Sequence, residues 1–125
     1  LRVLLTGKRR QYLIQCLKDS NIPFNFFEMT TFAELNELYN CLDLYLVTSR
    51  VEGGPQALVE CGLTKTPLIS TDVGLATYIL DKSSIFSMDD YQQAQPNTLK
   101  AYENSSKLMI PEWFNKYKSM FEEIL

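Results

Sequence analysis

Residues 48–60 read T-S-R-V-E-G-G-P-Q-A-L-V-E and follow the apolar run D-L-Y-L-V-T at residues 43–48. A run with so little polar alternation predicts a strand that is buried on both faces, as in a parallel sheet. Pro55 suits the first position of a helix, because its fixed φ fits there and its missing N–H is not needed. The stretch therefore predicts a strand, a glycine turn and a helix that continues to about Lys65.

The alternation of strand and helix continues in both directions along the chain. Apolar runs predict further strands at residues 1–7, 24–29, 67–71 and 85–86. Apolar residues at helical spacing predict helices at residues 9–20, 35–42, 75–80 and 98–110, and a last helix after Pro111. Thr31 and Glu34 have the spacing of a capping box. This order indicates an α/β fold with a doubly wound, Rossmann-like parallel sheet, in one domain over residues 1–125.

Charge and residue usage exclude several classes of function. The net charge is −3 and the basic residues are scattered, so we expect no nucleic-acid groove. The run at residues 8–10 is read as the solvated first turn of a helix in preference to a phosphate site. The chain has no histidine, which excludes histidine-based catalytic triads and histidine-containing zinc sites. Asp89 and Asp90 have no partner at metal-ligand spacing, so we expect no metal site.

The cysteines and the ends of the chain give expectations about its setting. Cys16, Cys41 and Cys61 are odd in number, and we read them as reduced core thiols of a cytoplasmic protein. The apolar runs are too short to cross a bilayer. The chain begins at Leu1 without a signal-like segment or an initiator methionine, which suggests a piece of a longer protein.

The glycine turn is the segment best suited to bind a ligand. In parallel α/β sheets, ligands bind beyond the carboxyl ends of the strands. Gly53 and Gly54 would let the backbone approach a ligand, with the N–H groups and positive dipole end of the helix directed at diphosphate oxygens. Glu60 follows Gln56 by one turn, and its carboxylate could accept hydrogen bonds from a sugar or ribose diol. From these residues alone, a plain strand–helix connection with solvated glutamates remains the stronger interpretation.

The sequence around this turn also resembles a known family. Glu52 and Glu60 are separated by seven residues, and E-G-G-P-Q-A-L-V-E followed by T-P-L-I-S-T-D-V-G resembles the E-x7-E signature of family-4 glycosyltransferases (glycosyl transferases group 1). Residues 34–50 resemble the helix and strand that precede this motif, and residues 110–125 are similar to the aromatic C-terminal helix that packs toward the partner domain. The resemblance covers nearly the whole chain. It implies the C-terminal, donor-binding half of a GT-B fold.

The resemblance also implies roles for individual residues. Glu52 and Glu60 would be the catalytic glutamates, with Glu52 on the hydroxyls of the transferred sugar and Glu60 on those of the ribose. The remaining donor-binding residues would be Ser49, the N–H groups of Gly53, Gly54 and Gln56, and, beside the base, Met29 and Thr30. The enzymes of this family transfer a sugar from a nucleotide-diphosphate donor with retention, usually without a metal, so no cofactor is implied. The implied partner is the N-terminal GT-B domain of the same protein, through which contact with a membrane surface would be made.

Several positions depart from the family pattern. The Arg and Lys that grip the diphosphate in the family precede the segment that matches Leu1, and so does the acceptor domain; we therefore expect negligible transfer by this chain alone. Glu28 replaces a usual glycine after the second strand, and Cys61-Gly62-Leu63-Thr64-Lys65 replaces Ala-Met-Ala-x-Gly. Leu75 replaces a second glycine, which would narrow the sugar pocket.

Two alternatives to a sugar transferase remain open at this point. The first is a non-catalytic GT-B-like accessory domain, and the second is a sugar-nucleotide epimerase. The apolar face of the last helix, with Trp113, Tyr117, Phe121 and Ile124, is expected to be core or a domain-contact surface.

Overall fold

The computed structural model describes residues 1–123, except for the side chain of Glu112. Ile124, expected on the apolar face of the last helix, lies outside the described residues. The chain divides into two compact units, Leu1–Leu38 and Tyr39–Leu125.

The first unit is a strand–helix–strand arrangement. It contains β1 (Val3–Thr6), α1 (Gln11–Asp19), β2 (Phe24–Phe27) and most of α2 (Phe32–Asn40). β1 and β2 pair in parallel, with Val3 opposite Phe24 and Thr6 opposite Phe27. Parallel strands need a crossover connection, which α1 supplies, and Leu5 and Leu17 are buried.

The capping box that the sequence predicts is present at the start of α2. The Thr31 N–H donates to Glu34 Oε2 at 2.7 Å, and the Glu34 N–H donates to Thr31 Oγ1 at 3.2 Å. The hydrogen bond from the Thr31 backbone lowers the pKa of the Glu34 carboxyl. Because this box provides acceptors for the N–H groups of Thr31 and Glu34, the helix begins at Phe32, three residues before its apolar stripe.

The second unit contains a three-stranded parallel sheet in the order β3-β4-β5. Its elements are β3 (Tyr45–Val47), α3 (Gln56–Thr64), β4 (Leu68–Thr71), α4 (Ala76–Ile79), β5 (Ile85–Phe86), α5 (Thr98–Ser106) and α6 (Glu112–Glu122), with 3₁₀ turns at Lys82–Ser84 and Tyr91–Gln93. Side chains from most of these elements form its core, including Val47, Leu58, Cys61, Leu68, Ile79, Phe86 and Ala101. With 11 residues, the longest described helix falls well short of crossing a bilayer.

Helices α3 and α5 pack closely at Gly62. A Cβ at this glycine would overlap Ser105 Oγ and lie 2.9 Å from Ser105 Cβ and 3.0 Å from the Ala101 carbonyl oxygen. Ser105 Oγ is buried without a hydrogen-bond partner among the described residues. Glycine is therefore required here for space.

The parallel α/β class is confirmed, whereas several finer predictions are corrected. The strands form two hydrogen-bonded parallel sheets, one in each unit. Pro55 is the residue before α3, with an extended ψ of 113°, and is not the first helical residue. Cys61 is buried and Cys16 half-buried, but Cys41 is exposed and is not a core thiol, because it follows the last turn of α2.

Of the two roles expected for the apolar face of the last helix, core or domain-contact surface, its described residues do not form core, and a domain-contact surface stays a prediction. Trp113, Tyr117 and Phe121 are 45%, 55% and 56% exposed. Helical periodicity reveals an apolar face but does not tell whether the same chain covers it.

Candidate functional site

The carboxyl ends of β3 and β4 are joined beyond the last paired residues of the ladder. Val47 and Ser70 are the last pair of residues in this part of the sheet. Beyond them, the Thr71 hydroxyl donates a hydrogen bond to the Ser49 carbonyl at 2.6 Å. This contact fixes the start of the glycine turn against the end of the neighbouring strand. Ligands of parallel α/β sheets bind at this edge.

The loop after β4 packs against the glycine turn through Gly74. Its φ is +50°, and a Cβ there would lie 2.6 Å from the Gly53 carbonyl oxygen and 2.8 Å from the Glu52 carbonyl oxygen. Glycine is the residue that adopts this φ without strain and leaves room for the facing backbone. The turn is therefore held in place by backbone contact.

Gly53 and Gly54 differ in their surroundings. A Cβ at Gly53 would meet nothing within 4 Å, whereas one at Gly54 would meet Leu75 Cδ1 at 3.5 Å. Leu75 thus lies beside the turn. Gly53 presents open backbone, which suits contact with a ligand, while Leu75 limits the space next to Gly54. The narrowing of a sugar pocket by Leu75 remains a prediction.

Helix α3 begins at Gln56 with no side-chain cap. The buried Pro55 precedes it, and the Leu58 N–H donates to the Pro55 carbonyl at 3.0 Å. The first N–H groups of a helix have no partner within the helix, and they carry its positive dipole end. An anion bound at this end would supply acceptors for them.

The two motif glutamates have different environments. Glu52 is exposed in the turn, whereas Glu60 is half-buried on the second turn of α3. The Tyr39 hydroxyl donates to Glu60 Oε2 at 2.7 Å. Burial, together with this hydrogen bond, raises the pKa of Tyr39 far above its usual value near 10, so the phenol keeps its proton. Glu60 thus has a fixed donor that the motif itself does not contain.

Sequence reasoning missed Tyr39 as a site residue. It belongs to the apolar stripe of α2, and this stripe predicts packing but not a polar contact 21 residues away. The available signal was the presence of a polar hydroxyl at a position expected to be buried, because a buried tyrosine hydroxyl usually has a hydrogen-bond partner.

The predicted site residues are divided between the two units. Six of them lie in the second unit, at the end of β3, in the turn and on α3: Ser49, Glu52, Gly53, Gly54, Gln56 and Glu60. Met29 and Thr30 follow β2 in the first unit, where Met29 is 80% exposed and Thr30 is half-buried. Their role beside a base remains a prediction. Within the described residues, no group of three or more His, Cys, Asp or Glu side chains could hold a metal ion.

The comparisons with known proteins bear on the fold. No protein-family model matches this sequence, and no curated protein matches it either. Among solved structures, one chain of the crystal structure of the GtfA/B complex, a GT-B glycosyltransferase, is similar over 99% of this chain, with a TM-score of 0.69. The fold is GT-B-like. At 17% sequence identity the similarity shows the fold alone, and this chain spans 29% of that chain.

Proposed function

We propose that the second unit binds a nucleotide-diphosphate sugar and that the chain is the donor-binding, C-terminal half of a retaining glycosyltransferase of the family-4 type. The observation that carries the proposal is the glycine turn between β3 and the uncapped α3, fixed by Gly74 and bounded in sequence by Glu52 and Glu60. The acceptor would be a glycan, a lipid or a similar hydroxyl compound.

Each part of the turn has a proposed role. The N–H groups of Gly53, Gly54 and Gln56 would donate to the diphosphate, where the positive end of α3 favours negative charge. Glu52 would accept hydrogen bonds from the hydroxyls of the transferred sugar, and Glu60 from those of the ribose. As the bond to the anomeric carbon breaks, negative charge grows on the departing diphosphate. N–H groups that are already oriented stabilise this charge without a histidine or a metal ion.

The rest of the enzyme follows from the family resemblance. In the family, the Arg and Lys that grip the diphosphate and the acceptor-binding domain precede the segment represented here. We therefore propose that this chain turns over donor negligibly by itself and works with an N-terminal GT-B domain of the same protein in the cytoplasm. The exposed aromatic side chains of α6, Trp113, Tyr117 and Phe121, support a contact surface of this kind.

The test is calorimetric titration of the chain with UDP, GDP, ADP and their glucose conjugates. We expect one nucleotide to bind, and Glu60→Gln to weaken it about tenfold or more, because hydrogen bonds to a charged group are worth about 1.5–3 kcal/mol. The control is Glu103→Gln, which removes an exposed carboxylate that is paired with Lys100 at 3.7 Å. Failure of the full-length protein to bind any of these nucleotides would refute the proposal. Binding without turnover in that protein would favour an accessory role.

A further inference from the structure

The side chain of Tyr39 sets the position of Glu60 before any ligand arrives. Tyr39 is 7% exposed near the end of α2, and its hydroxyl lies 2.7 Å from Glu60 Oε2. We propose that Tyr39 is a positioning residue: it fixes the Glu60 carboxylate in the orientation that receives the vicinal hydroxyls of the nucleotide ribose. The second part of this inference rests on the proposed function.

The tyrosine is itself held at two points. The buried Thr66 hydroxyl donates to the Tyr39 carbonyl at 2.8 Å, which anchors the backbone. The ring packs edge-to-face on Tyr45, with the centroids 5.6 Å apart and the planes at 72°. Because both backbone and ring are fixed, the hydroxyl has little freedom to follow a moving carboxylate.

The residues around Thr66 also approach the Glu60 backbone. Because the Thr66 proton is donated to the Tyr39 carbonyl, the Thr64 hydroxyl is the donor in its 2.7 Å contact with Thr66 Oγ1. Thr64 Oγ1 also lies 3.0 Å from the Glu60 carbonyl oxygen. The anchor of Tyr39 therefore lies against the main chain of the glutamate whose side chain Tyr39 binds.

The half-buried Glu60 carboxylate has acceptor positions besides the one that Tyr39 uses. An ionised carboxylate has about four acceptor positions, and the Tyr39 hydroxyl occupies one of them. A glutamate that already holds one rotamer loses less conformational freedom when a ligand binds, and such preorganisation increases affinity. Tyr39 would therefore strengthen binding of the diol without touching it.

The first experiment uses the ligand-free chain. Three-bond NMR couplings of the Glu60 β-methylene protons report whether the side chain holds one rotamer or averages over several. We expect one rotamer in the unsubstituted chain and averaging in Tyr39→Phe, which keeps the ring and removes the hydroxyl. The control is Tyr78→Phe, because Tyr78 is 77% exposed on α4. An averaged Glu60 in the unsubstituted chain, or a single rotamer that survives in Tyr39→Phe, would overturn the inference. The measurement on the unsubstituted chain does not depend on whether any variant folds.

The second experiment measures the consequence for binding. UDP, GDP and ADP are each compared with their 2′,3′-dideoxy forms. For the nucleotide that binds, we expect the ribose form to be preferred about tenfold, and Tyr39→Phe to reduce this preference several-fold without changing affinity for the dideoxy form. Equal weakening of both forms would show a merely structural role and overturn the inference. If the full-length protein also binds no nucleotide, the proposed function fails, and the rotamer measurement alone decides whether Tyr39 positions Glu60.

Discussion

Replacing Gly74 with alanine should disrupt the contact that holds the glycine turn. The new Cβ would meet main-chain atoms, at 2.6 Å from the Gly53 carbonyl oxygen, 2.7 Å from the Gly53 carbonyl carbon and 2.8 Å from the Glu52 carbonyl oxygen. Backbone cannot rotate away as a flexible side chain can. Part of the main chain must therefore shift, or the alanine must leave the left-handed conformation with φ +50°.

The expected cost has two components. A non-glycine residue in the left-handed region costs roughly 1–2 kcal/mol, and inserting a methyl group into a filled space costs about 1–3 kcal/mol. Together they predict a loss of about 2–5 kcal/mol, a large part of the roughly 5–15 kcal/mol by which domains are stable. At about 4 °C per kcal/mol, the melting temperature should fall by roughly 8–20 °C.

Thermal unfolding followed by far-ultraviolet circular dichroism measures this loss, and Gly53→Ala is the matched control. Gly53 lies in the same turn, and a Cβ there would meet nothing within 4 Å, so the control should melt close to the unsubstituted chain. If Gly74→Ala melted as the control does, the two loops would not be in contact, and the account of how the turn is held would be refuted.

Three further predictions concern stability and reactivity. Gly62→Ala should lower the free energy of unfolding in urea by about 1–3 kcal/mol, because α5 leaves no room for a methyl group, and adding Ser105→Gly should restore part of this loss. Equal losses in the single and the double variant would contradict this packing. Because the pKa of Tyr39 in the folded chain is raised above 10, the stability that this tyrosine contributes is complete below pH 10 and declines as the pH rises further. Urea unfolding between about pH 9 and 11 should show the decline, and the decline should be smaller in Tyr39→Phe. Burial raises the pKa of Cys61 to about 12, so iodoacetamide near neutral pH should modify the exposed Cys41 and spare Cys61; mass spectrometry of the native chain would contradict this if both reacted at similar rates.

The sequence predicts the order and type of the elements well, because these depend on local patterns. The capping box at Thr31 and Glu34 lies where its spacing places it, and the short strand Ile85–Phe86 is present with the predicted bounds. Boundaries are less well predicted. The strand expected at residues 43–48 is paired only over Tyr45–Val47, because pairing depends on the partner strand as well as on apolar character.

The sequence does not predict the contacts that build the candidate site. Two contacts join residues that are about 20 positions apart: the backbone contact of Gly74 with Glu52 and Gly53, and the hydrogen bond from Tyr39 to Glu60. Such contacts depend on how the strand ends and helices pack, and no local periodicity encodes them. The E-x7-E spacing identified the two glutamates but not their unequal environments, since Glu52 is exposed and Glu60 is bound by a buried tyrosine.

The proposed donor site is tested most directly by following backbone amide signals of the isotope-labelled chain during titration with the nucleotide that calorimetry identifies. Saturable shifts at Gly53, Gly54 and Gln56 are predicted, and Glu60→Gln should weaken them while Glu103→Gln leaves them unchanged. Saturable binding that leaves these three amides unmoved would place the nucleotide elsewhere and contradict the proposed site.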